Sequence, residues 1–462
     1  MTDASEARAS RGPDRARLAA ARVLFAVYTQ DAYANLSARH LLDQSELDAR
    51  DRRFAAALIY ETISRTISID YLLAGLSSRP LDRLDPWVLT VLRMGAWQLV
   101  WSRSVPAPAA IDTSVRLAAS RAGRPAGGFV NAVLRRLDRE KPELPARDLA
   151  LSVSLPSWLF GCLRKWFGQD EALSLGRHAL QGVTRISLRV NQLRADPEDL
   201  ALELAAEPGR YCPEALSLAL QGHSVTRLPG WADGRFSVQD EAAMLVGYAA
   251  NPKPGWTIVD LCSAPGGKAC HLAERTGDAA RIVAADLHAG RLQLVRDQAD
   301  RLGLSSVTTR QADAATGRDG QGGEAFADLA GQADLVIADV PCSGLGLLGR
   351  KPEIRLHMTY ERMQAFLPLQ AAILDTADKL LKPGGVLVYS TCTLNPAENQ
   401  EQVAAFLDRR LGCYRPEPLN GLLPGAVLAH PDLARQSGLG QLQMLPHRHE
   451  TDGFFIARLR KD

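Results

Sequence analysis

The 462-residue sequence lacks the cysteine pattern of a disulfide-bonded or zinc-binding protein. Its seven cysteines are an odd number, lie at irregular spacings and include no CxxC pair. We therefore expect neither a disulfide framework nor a zinc cage, and a reducing, cytoplasmic environment fits best. In that environment a single cysteine is either a buried small hydrophobe or a catalytic thiol.

Long apolar runs are also lacking. The most apolar stretch, Val88–Trp101, is interrupted by Arg93 and is shorter than the roughly 20 residues that cross a bilayer. It predicts a buried helix and no membrane association. The first residues, MTDASEARASRGPDRAR, contain no apolar segment that could act as a signal peptide, so export is not expected.

The chain has no strong charge of one sign, since its net charge is only +2. The charges are unevenly divided, with a net +5 over the first 150 residues and a net −3 over the remainder. A basic N-terminal part suits a module that contacts a nucleic-acid backbone. An Arg-rich solvated surface explains the same excess equally well, so charge alone leaves the function open.

What the sequence does contain is enough apolar material for several cores. The length and a hydrophobic content of 46% predict a multidomain enzyme. Residues 1–145 show apolar positions at helical spacing, which predicts an all-α domain in which Pro86 begins a helix carrying WVLTVLRMGAWQLV. Residues 146–235 combine a helical stretch, LPSWLFGCLRKWFG, with strands expected at ISLRVN and near VTRLPGW. We expect a small α+β module there.

Residues 236–462 alternate short β-branched runs with helical segments. The expected strands are TIVDLC, RIVAAD, SVTTRQAD, ADLVIAD and GGVLVYST. This rhythm predicts an α/β, Rossmann-like domain with a mostly parallel sheet. Further on, QLQMLPH and GFFIARLR predict an antiparallel hairpin at the sheet edge. His447 and His449 lie in the polar turn between them without supporting cysteines, so we expect exposed loop residues and no metal.

A glycine-rich turn, DLCSAPGGK at Asp260–Lys268, follows a predicted strand and opens a predicted helix. Its glycines let the backbone approach a ligand, and the helix N-terminus offers free N–H groups to an anionic group. A nucleotide-like cofactor is implied. The alternative of a P-loop fails, because that motif needs Gly in place of Cys262 and Ser or Thr in place of Ala269. Taken alone, such a turn is weak evidence.

Acidic residues end the successive predicted strands. Asp286 follows Asp260 at the distance where doubly wound folds place a carboxylate on ribose hydroxyls, and Asp313 and Asp339 end the next two strands. One such residue would be interpreted as a turn former or helix cap. Four of them predict a ligand site along the carboxyl edge of the sheet.

Two cysteines stand at the ends of predicted core strands, Cys342 in DVPCSG and Cys392 in STCT. Either alone would be read as a buried, inert thiol. Together they match nucleophilic catalysis on carbon 5 of cytosine, which becomes reactive when a thiolate adds to carbon 6. The proton on carbon 5 must then leave, and the bond between the enzyme and carbon 6 must break. Two thiols therefore match two duties.

These motifs resemble a known family. DLCSAPGGK, DVPCSG, YSTC followed by NPAEN, and GRKPEIR are similar to the Nol/Nop/Sun family of RNA cytosine-C5 methyltransferases. RxxAxxVLFxVY, LRMGAWQL and FVNAVLRRL resemble the NusB-like RNA-binding domain, so the resemblance spans nearly the whole chain. It implies a NusB-like domain at 1–145, an RNA-recognition and linker module at 146–235 and a class I methyltransferase domain at 236–462.

Bacterial members with this arrangement methylate small-subunit ribosomal RNA. The resemblance therefore implies 16S ribosomal RNA as the partner and S-adenosyl-L-methionine as the cofactor. The residues themselves lead us to expect no metal and no membrane partner, and we expect a monomer.

The resemblance also implies site residues. Cys392 is the nucleophile and Cys342 assists release of the product, although DNA cytosine methyltransferases attack with the Pro-Cys thiol, which would be Cys342 here. Asp339 is expected near both cofactor and target base. The sequence departs from the family at Ser263 and Ala269, where Ala and Thr are frequent. The implied cofactor pocket consists of Cys262, Ser263, Ala264, Pro265, Gly266, Gly267, Lys268, Asp286, Asp313 and Asp339.

Two other functions fit the sequence less well. Amino-group methyltransferases present Asn or Asp followed by Pro-Pro and an aromatic residue, where this chain has DVPC. A non-catalytic RNA-binding assembly factor would not need Cys342, Cys392 and the cofactor turn. One question stays open: a group of arginines either contacts phosphates or complements the helix dipole, namely Arg121, Arg124, Arg135, Arg136 and Arg139.

Overall fold

The computed structural model describes residues 14–30, 47–219 and 224–462, together with positions 32, 34 and 38. The chain divides into two compact units. The described part of the first unit runs from residue 14 to Val183 and includes the segment Leu348–His357. Residues 1–13 of the predicted 1–145 domain lie outside the described residues. The boundaries proposed at 145/146 and 235/236 stay predictions.

The first unit is helical, as predicted. Its core is formed by apolar side chains from successive helices, among them Leu24, Leu58, Leu73 and Leu134. Within the described residues, helices of at least four residues up to Val183 are α1 (Arg15–Gln30), α2 (Ala49–Ser64), α3 (Thr66–Leu76), α4 (Pro86–Val100), α5 (Ala107–Glu140), α6 (Leu149–Ser152), α7 (Ser157–Phe167) and α8 (Gln169–Gln181).

Helix α4 begins at Pro86, which confirms the predicted start. The Asp85 side chain accepts hydrogen bonds from the backbone N–H groups of Trp87 at 2.9 Å and Val88 at 3.1 Å. A carboxylate at the N-cap satisfies N–H groups that the first turn leaves unpaired, and proline fits the first helical position.

Helix α5 is interrupted at Gly123, whose φ is +84° and ψ 167°. A residue with a side chain is strained at this φ, and Pro125 has no N–H to continue the preceding hydrogen-bond ladder. The helix therefore stops and restarts here.

Four of the arginines with an open interpretation, Arg121, Arg135, Arg136 and Arg139, make contacts within the helical unit. The Arg121 guanidinium lies 4.4 Å from the ring centroid of Phe25 and 4.8 Å from that of Trp87. Arg136 donates to Glu140 at 2.8 Å. Arg121 thus packs on aromatic faces, and a phosphate-binding role for this group stays a prediction.

The segment Leu348–His357 is an integral part of the first unit. Arg355 is 1% exposed and donates to the backbone carbonyls of Ser64 at 2.5 Å and Ser154 at 3.3 Å. The Glu353 carboxylate accepts from the Ala34 N–H at 3.3 Å. Ten residues that lie between two stretches of the second unit in sequence therefore complete the packing of the first.

The second unit contains a four-stranded antiparallel sheet in the order β2-β3-β1-β4. The strand expected at ISLRVN is confirmed as β1. The strand expected near VTRLPGW is wrong, because Val225–Arg227 forms a 3-10 turn and Gly230, with φ +78°, turns the chain after Pro229. The elements of this part are β1 (Ile186–Val190), α9 (Pro197–Leu204), β2 (Glu207–Pro208), β3 (Ala215–Leu218) and β4 (Phe236–Val238).

A larger mixed sheet forms the rest of the second unit, with the order β10-β12-β9-β8-β5-β6-β7 and β11 paired to β12. Its elements are α10 (Glu241–Ala250), β5 (Thr257–Asp260), α11 (Gly267–Arg275), β6 (Arg281–Asp286), α12 (Ala289–Leu302), β7 (Val307–Gln311), β8 (Ala333–Asp339), α13 (Tyr360–Leu380), β9 (Leu381–Thr391), α14 (Gln400–Arg409), β10 (Tyr414–Pro416), α15 (Gly425–Leu428), α16 (Pro431–Gly438), β11 (Gln441–Met444), α17 (Pro446–His449) and β12 (Phe454–Lys461).

Five adjacent strands, β9-β8-β5-β6-β7, are parallel, and β12 is antiparallel to β9. The Rossmann-like prediction is confirmed. The β11–β12 hairpin is confirmed as well, with Gln441 opposite Ala457.

The sheet reverses its winding at β5, which lies between β6 and β8. Parallel sheets bind ligands in the crevice outside the carboxyl ends of the strands at such a point. Asp260, Asp286 and Asp339 are the last residues of β5, β6 and β8. The fold thus brings the predicted site residues to one edge. Among the described residues, the helices all lack the combined length and apolarity needed to cross a membrane.

Candidate active site

The turn between β5 and α11 is built from backbone contacts. Ser263 donates its N–H to the carbonyl of Ala285 at 2.8 Å, and Gly266 donates to the carbonyl of Ser263 at 2.7 Å. Gly266 caps α11 with φ +102°, and a Cβ there would lie 3.2 Å from the Cα of Val295. Glycine is therefore required here, and it leaves the first N–H groups of α11 for a ligand.

Buried polar atoms at this turn need a partner. Asp260 is 1% exposed, and within the described residues neither of its carboxylate oxygens has a hydrogen bond of good geometry, although the Ser263 hydroxyl and the Cys262 backbone lie near enough to lower its pKa in part. The Ser263 Oγ is also buried and has no hydrogen bond of good geometry among the described residues. Burial, and next the nearby Asp339 carboxylate, raise the pKa of Asp260 to about 7. Because buried polar groups are normally satisfied, this turn has the character of a polar ligand site.

Arg291, which lies on helix α12, contacts the turn between β5 and α11 and stabilises it. Its guanidinium donates to the carbonyl of Ala264 at 2.8 Å and lies 3.3 Å from the Asp286 carboxylate. Asp286 also accepts the N–H of His288 at 3.0 Å. Ala264 is joined to Pro265 by a cis peptide bond. Sequence reasoning missed Arg291, although a basic residue soon after a strand-ending acid was a usable signal.

Arg189, on β1, braces the start of α11. It is fully buried and donates to the carbonyl of Gly267 at 2.7 Å, while it pairs with Glu274 at 2.7 Å. Sequence reasoning missed this residue too, since the alternation of ISLRVN does not reveal a buried arginine.

Asp313 lies two residues beyond the end of β7 rather than at its end. Its side chain accepts the N–H of Ala315 at 2.8 Å, and its own N–H bonds to the carbonyl of Arg318. These bonds form a turn of the kind that aspartate favours, and the turn ends the strand early.

Asp339 connects the cofactor turn with the strand that carries Cys392. One carboxylate oxygen accepts from Lys268 Nζ at 2.7 Å, and the other accepts from Ser390 Oγ at 2.8 Å. Burial opposes the charge of Lys268, but Asp339 outweighs it and raises the pKa of the lysine. The ammonium also lies 5.1 Å from the ring centroid of Phe454. Sequence reasoning did not identify Ser390 as a partner of Asp339.

The two predicted thiols lie side by side. Cys342 follows β8 in a loop and Cys392 directly follows β9, and these parallel strands pair so that Asp339 is opposite Ser390. The two Sγ atoms are 3.4 Å apart. The hydrogen bond with Cys392, and next burial, raise the pKa of Cys342 well above its usual value. Cys342 therefore keeps its proton at neutral pH.

A second cluster of ligand-type side chains lies outside this site. His430, Asp432 and His449 place one ligand atom each within 4.8 Å of one another. His449 is 1% exposed, so its expected exposure is wrong. Its Nδ1 accepts the N–H of Leu445 at 2.8 Å, which requires the proton to be on Nε2, 3.4 Å from Asp432. A protonated nitrogen does not bind a metal, so the cluster is satisfied internally.

Comparisons with known proteins match both parts of the chain. A family model described as 16S rRNA methyltransferase RsmB/F matches residues 247–460, and one described as NusB family matches residues 14–139. The ribosomal RNA small subunit methyltransferase B of Pseudomonas putida is 36% identical over 460 residues, covering 96% of this chain and 98% of the relative.

A probable ribosomal RNA small subunit methyltransferase B of Synechocystis is 35% identical and covers 96% of this chain and 99% of the relative. Among solved structures, the crystal structure of PH0851 is similar, with a TM-score of 0.80 and 25% identity over 97% of this chain and 99% of that one.

Proposed function

Because the chain belongs to the RsmB/F family of 16S rRNA methyltransferases, we propose that it transfers a methyl group to carbon 5 of a cytosine in small-subunit ribosomal RNA. The donor is S-adenosyl-L-methionine. The observation that carries this proposal is the pair of thiols, Cys342 and Cys392, 3.4 Å apart at the carboxyl ends of adjacent strands. Methylation of an amino or hydroxyl group needs no thiol nucleophile, whereas cytosine carbon 5 does.

The residues of the turn fit this cofactor. S-adenosyl-L-methionine supplies an electrophilic methyl group on a positively charged sulfur, together with an amino acid end and ribose hydroxyls. The turn Cys262–Lys268 offers close backbone approach, Asp286 offers a carboxylate to the ribose, and Asp260 has two oxygens without a hydrogen bond of good geometry among the described residues. We assign Asp313 and Asp339 to the same pocket.

The first step that we assign is attack by Cys392. Its thiolate forms a bond to carbon 6 of the cytosine, and the electron pair displaced to carbon 5 would form the new bond to the methyl group while the bond between that methyl and the donor sulfonium breaks, leaving a neutral thioether. The resemblance of the STC motif around Cys392 to the Nol/Nop/Sun family supports this assignment. The base must leave its stack to reach both thiols.

The second step is release, which we assign to Cys342. The proton on carbon 5 leaves to a base, the bond between Cys392 sulfur and carbon 6 breaks, and the aromatic ring is restored. Cys342 Sγ is close enough to Cys392 Sγ to assist this elimination. Asp339, held by Lys268 and Ser390, has the acceptor oxygens to bind the cytosine amino group.

We also propose that recognition is divided along the chain. The NusB-like part, residues 1–145, and the α+β part, residues 146–235, contact RNA, and residues 236–462 carry out the chemistry. This division is supported by the NusB match at residues 14–139 and by the basic excess of the first 150 residues. We expect the chain to act as a monomer without a metal.

Separate substitution of the thiols tests the mechanism. With RNA that contains 5-fluorocytidine, the wild-type chain should form a covalent complex, and Cys392→Ala should abolish both that complex and methylation. Cys342→Ala should accumulate a covalent complex on ordinary RNA, because attack is intact and release is impaired. Denaturing gel electrophoresis distinguishes these results.

Bisulfite sequencing supplies the second readout of the same experiment. Ribosomal RNA from a strain that lacks the gene is incubated with enzyme and cofactor, and one cytosine should become protected. An unchanged cytosine pattern would exclude the ribosomal target. An exchange of the two thiol phenotypes would make Cys342 the nucleophile.

A further inference from the structure

A fully buried carboxylate, Glu398, lies in the loop between β9 and α14. Its Oε1 accepts from Ser343 Oγ at 2.5 Å and from Asn395 Nδ2 at 3.0 Å. Its Oε2 accepts from the Ser343 N–H at 2.9 Å and from Gln370 Nε2 at 3.0 Å. Four donors from three different parts of the second unit thus meet on one side chain.

The partners of Glu398 surround Cys342. Ser343, the next residue, is held through both its N–H and its hydroxyl. Gln370, on α13, also donates to the carbonyl of Pro341, the preceding residue, at 3.0 Å. The peptide groups on both sides of Cys342 are therefore fixed by one hydrogen-bonded group.

The same group is tied to the loop that carries Cys392. The hydroxyls of Ser343 and Thr393 are 2.6 Å apart, and Thr393 directly follows Cys392. Tyr389, near the end of β9, donates its hydroxyl to the backbone carbonyl of Glu398 at 2.6 Å. Glu398 therefore connects the residues that follow both thiols.

The two thiols differ in how they are held. Cys392 directly follows β9, a central strand of the large sheet, so the sheet fixes its position. Cys342 lies in a loop without regular secondary structure. A loop residue keeps one position only where surrounding contacts determine it, and here the contacts that flank Cys342 converge on Glu398.

We propose that Glu398 is a positioning residue that holds the Cys342 loop against Cys392 and so sets the distance between the two thiols. Its consequence for catalysis rests on the proposed function, since correct placement of Cys342 matters for release of the methylated base. The carboxylate also contributes, after Cys392 and burial, to the raised pKa of Cys342. Glu398 thus affects the release step more than the attack step.

The substitution Glu398→Gln tests this role with little change in shape. The amide places an NH₂ group where one oxygen stood, and each oxygen of Glu398 faces at least one N–H donor. The new NH₂ group then faces an N–H donor of a neighbouring residue, and because neither group can accept, the loop must shift.

A matched control is Asp378→Asn. Asp378 also accepts several hydrogen bonds, from Arg410 at 2.8 Å and from Tyr414 at 2.9 Å, and it lies on α13 away from the thiols.

The distance between the thiols can be measured without RNA or cofactor. Diamide accepts two hydrogen atoms from a pair of adjacent thiols, which form a disulfide while diamide becomes the hydrazine. Mass spectrometry of peptides follows the link between Cys342 and Cys392. We expect Glu398→Gln to slow this link at least tenfold and Asp378→Asn to change it less than twofold.

Enzyme assays provide the second readout. Glu398→Gln should lower multiple-turnover methylation at least 100-fold while the covalent RNA complex still forms, and cofactor affinity should stay within twofold. A cross-linking rate equal to that of the wild type, or a loss of turnover no larger than in Asp378→Asn, would overturn the proposal. If the wild-type chain methylated no RNA, the proposed function would fail, but the cross-linking result would still decide the positioning role.

A milder variant keeps the test decisive if Glu398→Gln does not fold. Ser343→Ala removes the hydroxyl bonds to Glu398 and Thr393 but keeps the backbone bond. It should slow the cross-link about threefold, and an unchanged rate would reject the positioning role.

Discussion

Asp260 is an acidic side chain whose burial gives the site its own pH dependence. Its pKa is raised to about 7, chiefly by burial. A carboxyl group whose pKa is higher in the folded state than in the unfolded state stabilises the fold fully only below the unfolded value. This stabilisation is lost as pH rises through the folded value.

The substitution Asp260→Asn should therefore remove a pH-dependent penalty. Its stability relative to the wild type should increase from pH 4 to pH 7 and reach about 4 kcal/mol, at about 1.4 kcal/mol per pKa unit. Chemical denaturation of the protein without cofactor at several pH values measures this difference. Equal pH slopes for the two proteins would contradict it.

At the residue scale, short motifs single out the candidate site residues but not the side chains that hold them in place. Cys342, Cys392 and Lys268 belong to short motifs whose chemistry limits the residue types. Arg291 and Glu398 act through hydrogen bonds to residues that the fold brings together. Such partners leave no periodicity in the sequence, so only the three-dimensional structure identifies them.

At the scale of elements, the connection between β5 and α11 depends on Gly266. Gly266→Ala should reduce cofactor affinity at least tenfold and destabilise the fold by about 1–2 kcal/mol, because φ is +102° and the new Cβ would contact the α12 backbone. Isothermal titration calorimetry and thermal unfolding measure these effects.

Gly290, in helix α12, offers a matched control. A Cβ at Gly290 meets nothing within 4 Å. Gly290→Ala should therefore leave affinity unchanged and stabilise the helix by about 0.5–1 kcal/mol. Equal loss of affinity in both variants would show that the conformation of the turn is not the cause.

The bounds of the strand predictions were most accurate where the apolar run was buried on both faces. RIVAAD and ADLVIAD coincide with β6 and β8, because central parallel strands consist of nearly continuous apolar residues. VTRLPGW failed because its Pro and Gly limit the backbone more strongly than its valine favours a strand. The short strands β2 and β4 are too brief for alternation to identify them.

At the scale of the molecule, Arg355 stabilises the first unit. It lies in the segment Leu348–His357, whereas the residues just before and just after this segment belong to the second unit. Arg355→Met should destabilise the first unit by about 2–4 kcal/mol, since the carbonyls of Ser64 and Ser154 lose a buried donor. Amide hydrogen exchange of the full chain should show the loss in helices α2 and α6.

Arg135→Met is the control for that change, because Arg135 is exposed on α5 and its side chain donates to Asn131, one turn away on the same helix. We expect a change within about 0.5 kcal/mol. Similar exchange rates in both variants would contradict a structural role for Arg355.

Sequence reasoning placed GRKPEIR with the catalytic motifs of residues 236–462. The structure assigns Leu348–His357 to the helical unit instead. Assigning a motif to a domain by its place in the sequence assumes that each domain consists of consecutive residues. The segment Leu348–His357 does not meet that assumption, because it belongs to the first unit but lies between two stretches of the second.

The position of Leu348–His357 also determines when the first unit can be completed during synthesis. The ribosome adds the residues from Thr184 to Leu347 before this segment exists. At about 5–20 residues per second, the delay between Val183 and His357 is roughly 10–35 s. During that time the nascent helices have no Arg355 for the carbonyls of Ser64 and Ser154. The N-terminal unit therefore begins first but finishes only after most of the chain has been made.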